Sequence, residues 1–394
     1  MAQFISRQVV QERWEKIQSW CQAEGYNALV VLEPQNTTYV SGWYLDVEPW
    51  ERPVATVIPA TGEPFMLLHE LSTHHVKMAQ ERGTIYIDDV TFYFERPSTT
   101  RRTWTTPHFV EMVRNHLTQR GLATGKIAAD INPGALAQMS TKLTWHNEEP
   151  FLRGLRAVKH PDELALMRQA CELSNFGQDV FRELVKPGKL MVEVDTKTVL
   201  EMQLEGAKRF PGCDLQVRCF SLTGPDSASP HGTGAGSAAT IAAGHGIVNI
   251  ILVRLNHYNT ENERTYFVGH YSDIQKRAFE CVQQAQAAAV AACVPGNALA
   301  NVDAAAQTVI EQGGFGDNLF HRTGHGIGLR GHDRPADIAF NYRPLQANEV
   351  YTIEPGIYIY GVGGFRHDDT VVVGDPPEVL TTTPKDIDRM TLAV

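Results

Sequence analysis

The stretch HRTGHGIGLRGH at residues 321–332 places three histidines among four glycines. Because glycine has no side chain, a backbone this bare can lie close against a ligand or another segment of the chain. Imidazole groups exchange protons near neutral pH and also bind metal ions. Two interpretations stay open for the stretch taken alone: a glycine-rich turn with bystander histidines, or one wall of an active site.

Further short segments in the second half of the chain carry ionisable residues beside glycine, proline or a predicted strand end. They are SASPHGTGAG with His231, HYNTENERTYFVG with Glu261 and Glu263, and TIEPGIY followed by GGFRHDDTVVV with Glu354 and Asp368. Such places let backbone and substrate approach each other closely. Each segment alone also has a structural explanation, such as a strand-end ion pair or a capped turn. Their order and spacing together favour a functional site.

The first part of the chain predicts an alternating α/β domain. Apolar residues at helical spacing predict a helix over 6–24, and a second helix is expected near 107–120. Short apolar runs predict strands within 26–32, 53–68, 83–88 and 125–131. Alternation of this kind is typical of a central sheet with helices packed against it.

The rest of the chain predicts an α+β domain, whose first long helix begins at Pro161, where the missing N–H costs nothing. Helices are expected at 162–185, 271–293 and 298–312, and strands after residue 345. Successive helices that each end in a glycine-containing stop indicate an internally repeated unit. We therefore predict two domains, 1–155 and 156–394, the second with long helices against a curved antiparallel sheet.

Bulk composition argues against several classes of protein. The 394 residues carry a formal net charge of -10, whereas a nucleic-acid-binding protein usually has a basic face. Apolar runs such as IVNIILV at 247–253 are of strand length and too short to span a membrane. The six cysteines form no CxxC pair, and the charged N-terminus lacks the apolar region of a signal peptide. A cytoplasmic protein without nucleic-acid or membrane partners is expected.

In their order, GHGIG, IEPGIY and GFRHDD resemble the pita-bread family of methionine aminopeptidase, aminopeptidase P, prolidase and creatinase. The segment YNALVVLEPQNTTYVSGWY also resembles the N-terminal domain of creatinases and prolidases. The resemblance implies a pita-bread catalytic domain with a pseudo-repeat of helices, preceded by a creatinase/prolidase-like domain. It also implies a homodimer with the active site near the interface.

The metallopeptidases of this family bind two divalent ions through five ligands, and the resemblance transfers only part of that set to this chain. Glu261, His325, Glu354 and Asp368 fall on four of the ligand positions. The remaining position falls on Ile250, whose side chain has no oxygen or nitrogen donor for a cation. With a local gap it falls on Arg254 or Asn256, and neither of these is an anionic ligand. We therefore predict no metal cofactor. If one Mn or Zn ion is bound after all, these four residues are its expected ligands.

Creatinase shows the same kind of loss and works without metal, so the active-site pattern most closely resembles creatinase-like hydrolases. The segment HYNTENERT places Glu263 on the creatinase active-site glutamate, and Arg52 corresponds to an arginine that reaches the substrate carboxylate across the dimer. Catalytic roles are predicted for His231, Glu263, His325 and Glu354. Substrate contacts are predicted for Arg52, Trp50, Tyr258, Glu261, His332 and Asp368.

The predicted reaction is hydrolysis of a non-peptide C–N bond in a small carboxylate-bearing nitrogen compound, such as a creatine-, amidine-, ectoine- or ureido-like substrate. His231 suits proton transfer because an imidazole both accepts and donates protons near neutral pH. The glutamates bind substrate N–H groups, or one of them attacks as a nucleophile. Two alternatives remain: a metal-dependent Xaa-Pro aminopeptidase or dipeptidase with atypical ligands, and a binding protein without activity.

Overall fold

The computed structural model describes residues 4–44, 47–48, 50–94, 105–232, 238–333 and 339–393. The chain divides into two compact units, Phe4–Arg156 and Ala157–Val394. The first is an α/β unit and the second an α+β unit, so the predicted fold class is confirmed.

The first unit is built on a six-stranded mixed sheet. Its elements are α1 (Arg7–Glu24), β1 (Ala28–Val31), α2 (Pro34–Ser41), β2 (Ala55–Pro59), β3 (Phe65–His69), α3 (Thr73–Arg82), β4 (Asp89–Tyr93), α4 (Thr105–Gln119), β5 (Gly125–Ala129), β6 (Leu143–Asn147) and α5 (Glu149–Ala157). The strand order is β4-β3-β2-β1-β5-β6. The central strand β1 pairs antiparallel with β2 and parallel with β5, and all its residues are buried, as its apolar sequence predicts.

The strand predicted at 83–88 is wrong, because β4 begins only at Asp89. Ile85 and Ile87 are buried, so the apolar run does pack into the core. Its backbone instead makes loop contacts, such as the N–H of Tyr86 donating to the carbonyl of Ser41 at 3.0 Å. A buried extended loop and a strand share the same apolar pattern, which is why the sequence does not separate them.

The second unit combines a seven-stranded sheet with two pairs of helices. Its elements are α6 (Pro161–Leu184), α7 (Met191–Arg209), β7 (Leu215–Thr223), β8 (Gly246–Leu255), β9 (Tyr258–Val268), α8 (Asp273–Ala292), α9 (Leu299–Gln312), β10 (Val350–Ile353), β11 (Gly356–Ile359), β12 (Gly363–Arg366), β13 (Asp368–Val372), β14 (Glu378–Val379), α10 (Ile387–Met390) and β15 (Thr391–Leu392). The main path of the sheet is β10-β13-β9-β8-β7, with antiparallel neighbours throughout. Helix α6 packs on α7 and α8 packs on α9, which repeats the same helix pair.

Capping explains why the sequence predicts α6 but not α7. The side chain of His160 accepts from the N–H of Asp162, and Glu163 reaches back to the N–H of His160. These reciprocal bonds satisfy backbone donors at the helix start and leave a readable signature. Helix α7 starts after Leu190, whose side chain makes no capping bond, so the sequence carries no such signal there.

The hairpin of β8 and β9 has one face toward the helices and an opposite face that carries the candidate site. Asn262 lies on the helix side, where its Nδ2 donates to the hydroxyl of Ser174 on α6 at 3.1 Å. Strand side chains alternate, so Glu261 and Glu263 lie on the opposite face. The register places Ile250 of β8 directly opposite Glu263. This face of the sheet carries the candidate site.

Among the residues that the structure describes, no helix combines the length and the apolar character needed to cross a lipid bilayer.

Candidate active site

Strands β9 and β13 bring three carboxylates onto one face of the sheet. Glu261 and Glu263 are two residues apart on β9, so their side chains point the same way. Asp368 on β13 is paired with Glu263 across the two strands, which places the third carboxylate on that face. All three residues are buried. Residues far apart in the chain therefore converge because of the strand register.

His325 and Glu354 complete this cluster from two other segments. His325 Nδ1 lies 3.1 Å from the carbonyl oxygen of Gly326, which assigns the ring proton to Nδ1 and leaves the Nε2 lone pair for the site. His325 Nε2 lies 3.4 Å from Glu354 Oε1 and 3.6 Å from Glu261 Oε2. The potential ligand atoms of these three residues all lie within 4.8 Å of one another. One small cation fits among them.

Asp368 is the most unusual member of the cluster. Its side chain is completely buried, and within the described part of the chain neither of its carboxylate oxygens has a hydrogen-bond partner. Burial, followed by the nearby charge of Glu263, raises the pKa of this carboxyl well above its ordinary range. Because an unpaired buried polar group costs several kcal/mol, roughly 2–7 depending on the reference state, this pair of oxygens calls for a partner such as a cation.

Burial also dominates the titration of the other members. It raises the pKa of Glu261 well above its ordinary value, with further contributions from the charges of Glu354 and Glu263. It raises the pKa of Glu263 to about 7, against the opposing charge of Arg366. Burial lowers the pKa of His325 to about 4, so its imidazole is neutral at pH 7 and offers a lone pair. The site thus combines crowded acids with a neutral nitrogen donor.

Arg366 at the end of β12 holds Glu263 in place. Its Nε and Nη2 atoms donate to the two carboxylate oxygens of Glu263, the Nη2 bond being 3.0 Å long. Its Nη1 atom donates to the hydroxyl of Tyr358 at 3.1 Å and to the carbonyl of Pro230 at 3.2 Å. The sequence reasoning missed Arg366 and Tyr358, although a basic residue inside GGFRHDD, two positions before Asp368, is a signal that could have indicated the contact.

The two remaining predicted histidines lie at the edge of this cluster. The ring of His332 stacks on that of His325, with centroids 3.6 Å apart and planes inclined by 19°. His231 is exposed and directly follows Pro230, the residue whose carbonyl accepts from Arg366. Both imidazoles are therefore open to water near the buried donors. The predicted motif SASPHGTGAG extends into residues 233–237, which lie outside the described residues.

Of three further predicted substrate contacts, Tyr258 is bonded elsewhere, and the other two, Arg52 and Trp50, lie in the first unit. Tyr258 is buried, and its hydroxyl donates to Glu163 on α6 at 2.7 Å, so a structural bond occupies it. Arg52 and Trp50 belong to the first unit, where Arg52 pairs with Glu51 at 2.8 Å and Trp50 is 78% exposed. Their predicted roles depend on a second subunit and stay predictions.

Gly324, within 321–332, allows close packing against β10. A Cβ atom built on Gly324 would lie 1.9 Å from the carbonyl oxygen of Thr352, a distance that no side chain tolerates. The neighbouring residue His325 is fixed to the same strand, because its N–H donates to the hydroxyl of Thr352 at 3.0 Å. The bare backbone therefore lets β10 hold the imidazole in position.

Gly324→Ala is expected to destabilise the protein by about 1–3 kcal/mol, since the methyl group must push the loop away from β10. The free energy of unfolding from a urea titration measures the effect. Gly246→Ala is the matched control in the same unit, because a Cβ there would have its nearest contact at 3.7 Å, with Phe267. Equal losses for both variants would contradict the packing explanation.

Known proteins resemble the chain over both units. The sequence pattern of metallopeptidase family M24 matches residues 165–375, and that of the creatinase/prolidase N-terminal domain matches residues 13–158. The putative dipeptidase YkvY of Bacillus subtilis is 28% identical over 382 residues, which is 95% of this chain and 99% of that protein. The Xaa-Pro dipeptidase of Pyrococcus furiosus is 33% identical over 240 residues, covering 61% of this chain and 67% of the relative. The crystal structure of dipeptidase PepE from Mycobacterium ulcerans has a TM-score of 0.82 and 27% identity, and the match covers 99% of this chain and 100% of that one.

These similarities contradict two predictions. A metal-independent, creatinase-like hydrolase of a non-peptide C–N bond is wrong, because the similar proteins are named as dipeptidases and match a metallopeptidase family. The prediction of no cofactor is wrong for the same reason, and a potential ligand cluster is present. The error lies in the weight given to Ile250. Its apolar side chain removes one ligand position, whereas four other positions keep donors that converge in space.

Proposed function

The chain belongs to metallopeptidase family M24 and is a hydrolase, and on this premise we propose that it is a metal-dependent Xaa-Pro dipeptidase or aminopeptidase with an atypical ligand set. Similarity to the Xaa-Pro dipeptidase of Pyrococcus furiosus supports Xaa-Pro substrates, and similarity to the dipeptidase PepE supports dipeptides in general. The observation that carries the proposal is the convergence of Glu261, His325 and Glu354, with potential ligand atoms within 4.8 Å of one another.

The donor chemistry of the site fits one divalent ion. Carboxylate oxygens and a neutral imidazole nitrogen are ligands that Mn and Zn accept. The fourth donor is Asp368, whose completely buried oxygens lack a hydrogen-bond partner among the described residues. A bound cation would relieve both the mutual repulsion of the acids and the unpaired state of Asp368. Residues Glu261, His325, Glu354 and Asp368 are therefore the proposed ligands.

When bound, such an ion lowers the pKa of a coordinated water and polarises the scissile carbonyl group. The remaining work falls to the chain itself. Cleavage of an Xaa-Pro bond releases the secondary amine of proline, which must receive a proton. His332 and His231 lie at the edge of the cluster, and the imidazole of His231 can carry that proton between the site and water. Desolvation lowers the pKa of His332 to about 4, so its neutral ring is a hydrogen-bond partner instead.

Removal of metal tests the proposal. We expect the Mn-loaded protein to hydrolyse an Xaa-Pro dipeptide, and activity to fall by about 100-fold or more after EDTA treatment, because the ion supplies several kcal/mol of barrier lowering. Activity should return when Mn is added back and should stay low when Mg is added. A protein dialysed in parallel without chelator is the control for handling losses. Release of proline is the measured quantity.

Two other outcomes would overturn parts of the proposal. Full activity in metal-free protein would contradict metal dependence. Binding of dipeptides without turnover by the metal-loaded protein would identify a binding protein on this fold. We also propose, from family resemblance, a homodimer with Arg52 of one subunit near the active site of the other. A cytoplasmic location is proposed because the six cysteines are free thiols, which suits a reducing compartment. Light scattering coupled to gel filtration checks the dimer.

A further inference from the structure

We infer that this centre binds a single divalent ion and that the Glu263–Arg366 ion pair occupies the place of a second one. The inference rests on the proposed function, which requires only that a metal be bound. The relevant strand is β8, which lies next to β9 and carries apolar side chains where β9 carries acids.

Two of the acidic side chains lie on β9, and the residues that face them on β8 are apolar. In the register of the hairpin, Ile250 lies opposite Glu263 and Leu252 lies opposite Glu261. Directly opposed residues of an antiparallel pair project to the same face, so these two apolar side chains stand beside the acids. Ile250 is buried in a cluster with Val248 and Leu222. An ion on the β8 side would meet hydrocarbon where it needs an oxygen ligand.

Glu263, the carboxylate directly opposite Ile250, already has a cationic partner. Both of its oxygens accept from the guanidinium of Arg366, and both residues are almost completely buried. The third guanidinium nitrogen is fixed by the hydroxyl of Tyr358 and the carbonyl of Pro230. Bonds on all three nitrogens hold the positive charge at one place. A two-point carboxylate–guanidinium pair of this kind is directional as well as strong.

The fixed charge of Arg366 leads to the same conclusion. One divalent ion together with Arg366 leaves the four carboxylates Glu261, Glu263, Glu354 and Asp368 with a small negative balance, and a second divalent ion would make that balance positive. The second ion would also lie beside a guanidinium that cannot lose its proton. Like charges at close range in a poorly solvated site repel each other strongly. The second ion is therefore excluded by a missing ligand and by a fixed positive charge.

Metal stoichiometry of the intact protein tests the inference. Apoprotein is titrated with Mn²⁺ by calorimetry, and the metal content after gel filtration is measured by mass spectrometry. We expect one ion per chain and the resolved hyperfine spectrum of an isolated Mn²⁺ in electron paramagnetic resonance. Two ions with the broadened spectrum of a coupled pair, as ions about 3.5–4 Å apart give, would overturn the inference while leaving the proposed function intact. No bound ion would overturn both.

Substitutions at Ile250 test why only one ion is bound. Ile250→Asp puts a carboxylate opposite Glu263. This carboxylate can share hydrogen bonds from the guanidinium of Arg366 or serve as a metal ligand. We expect the metal content to rise to two ions per chain. Ile250→Leu is the matched control and should keep one. A folded Ile250→Asp protein that still binds one ion would contradict the role given to Ile250. If the variant does not fold, the metal stoichiometry of the wild-type protein still tests the inference of a single ion.

Discussion

His325→Ala is expected to lose more than about 100-fold in metal affinity and nearly all dipeptidase activity. The estimate is a lower limit, because removal of a residue that merely orients a ligand already costs about 10–100-fold. His325 Nε2 lies between Glu354 Oε1 and Glu261 Oε2, at 3.4 and 3.6 Å. Without this neutral nitrogen the remaining donors are carboxylates that repel one another. Titration with Mn²⁺ and proline release measure the two losses.

His321→Ala is the matched control within the same loop. Its ring bonds the carbonyl of Arg322 at 2.7 Å and the hydroxyl of Tyr358 at 2.8 Å, and it lies outside the potential ligand cluster. We expect this variant to keep its bound metal. Metal binding by His325→Ala at wild-type affinity would remove His325 from the ligand set and with it the proposed centre.

Arg264→Leu is expected to lower the free energy of unfolding by about 3–5 kcal/mol, because buried Asp369 loses one of its two cationic partners and buried carbonyl groups lose their donor. Arg264 and Asp369 are both completely buried, and Nη2 of the arginine lies 2.8 Å from Oδ1 of the aspartate. Nη1 also donates to the carbonyls of Glu263 and Asp368, each at 2.7 Å. The residue therefore joins β9 to β13 directly behind two acids of the site.

Urea denaturation in the presence of EDTA measures this loss without the contribution of bound metal. The matched control is Arg168→Leu in the same unit. Arg168 pairs with Glu378 through two bonds of 2.6 and 2.8 Å, but the two side chains are 42% and 48% exposed. An exposed pair of this kind contributes about 0–1 kcal/mol. Similar losses for both variants would show that burial does not set the value of the Arg264 pair.

The positive charges show how far sequence reasoning reaches at this site. Arg264 directly follows Glu263 and Arg366 lies two positions before Asp368, but neither position in the sequence reveals its partner. Arg264 projects to the helix side, where it meets Asp369, whereas Arg366 meets Glu263 on the other face. Adjacent residues of a strand point to opposite faces, so neighbours in the sequence serve different parts of the molecule.

The sequence by itself determined the fold class, the two-domain architecture and the family, because these depend on local periodicity and on short motifs. It also predicted Glu261, His325, Glu354 and Asp368 as ligands if a metal is bound. It did not show that four donors from four separate segments converge. Strand register and loop packing alone decide this convergence. The missing ligand at Ile250 is visible in the sequence, but the unpaired oxygens of buried Asp368 and the guanidinium bound to Glu263 are not.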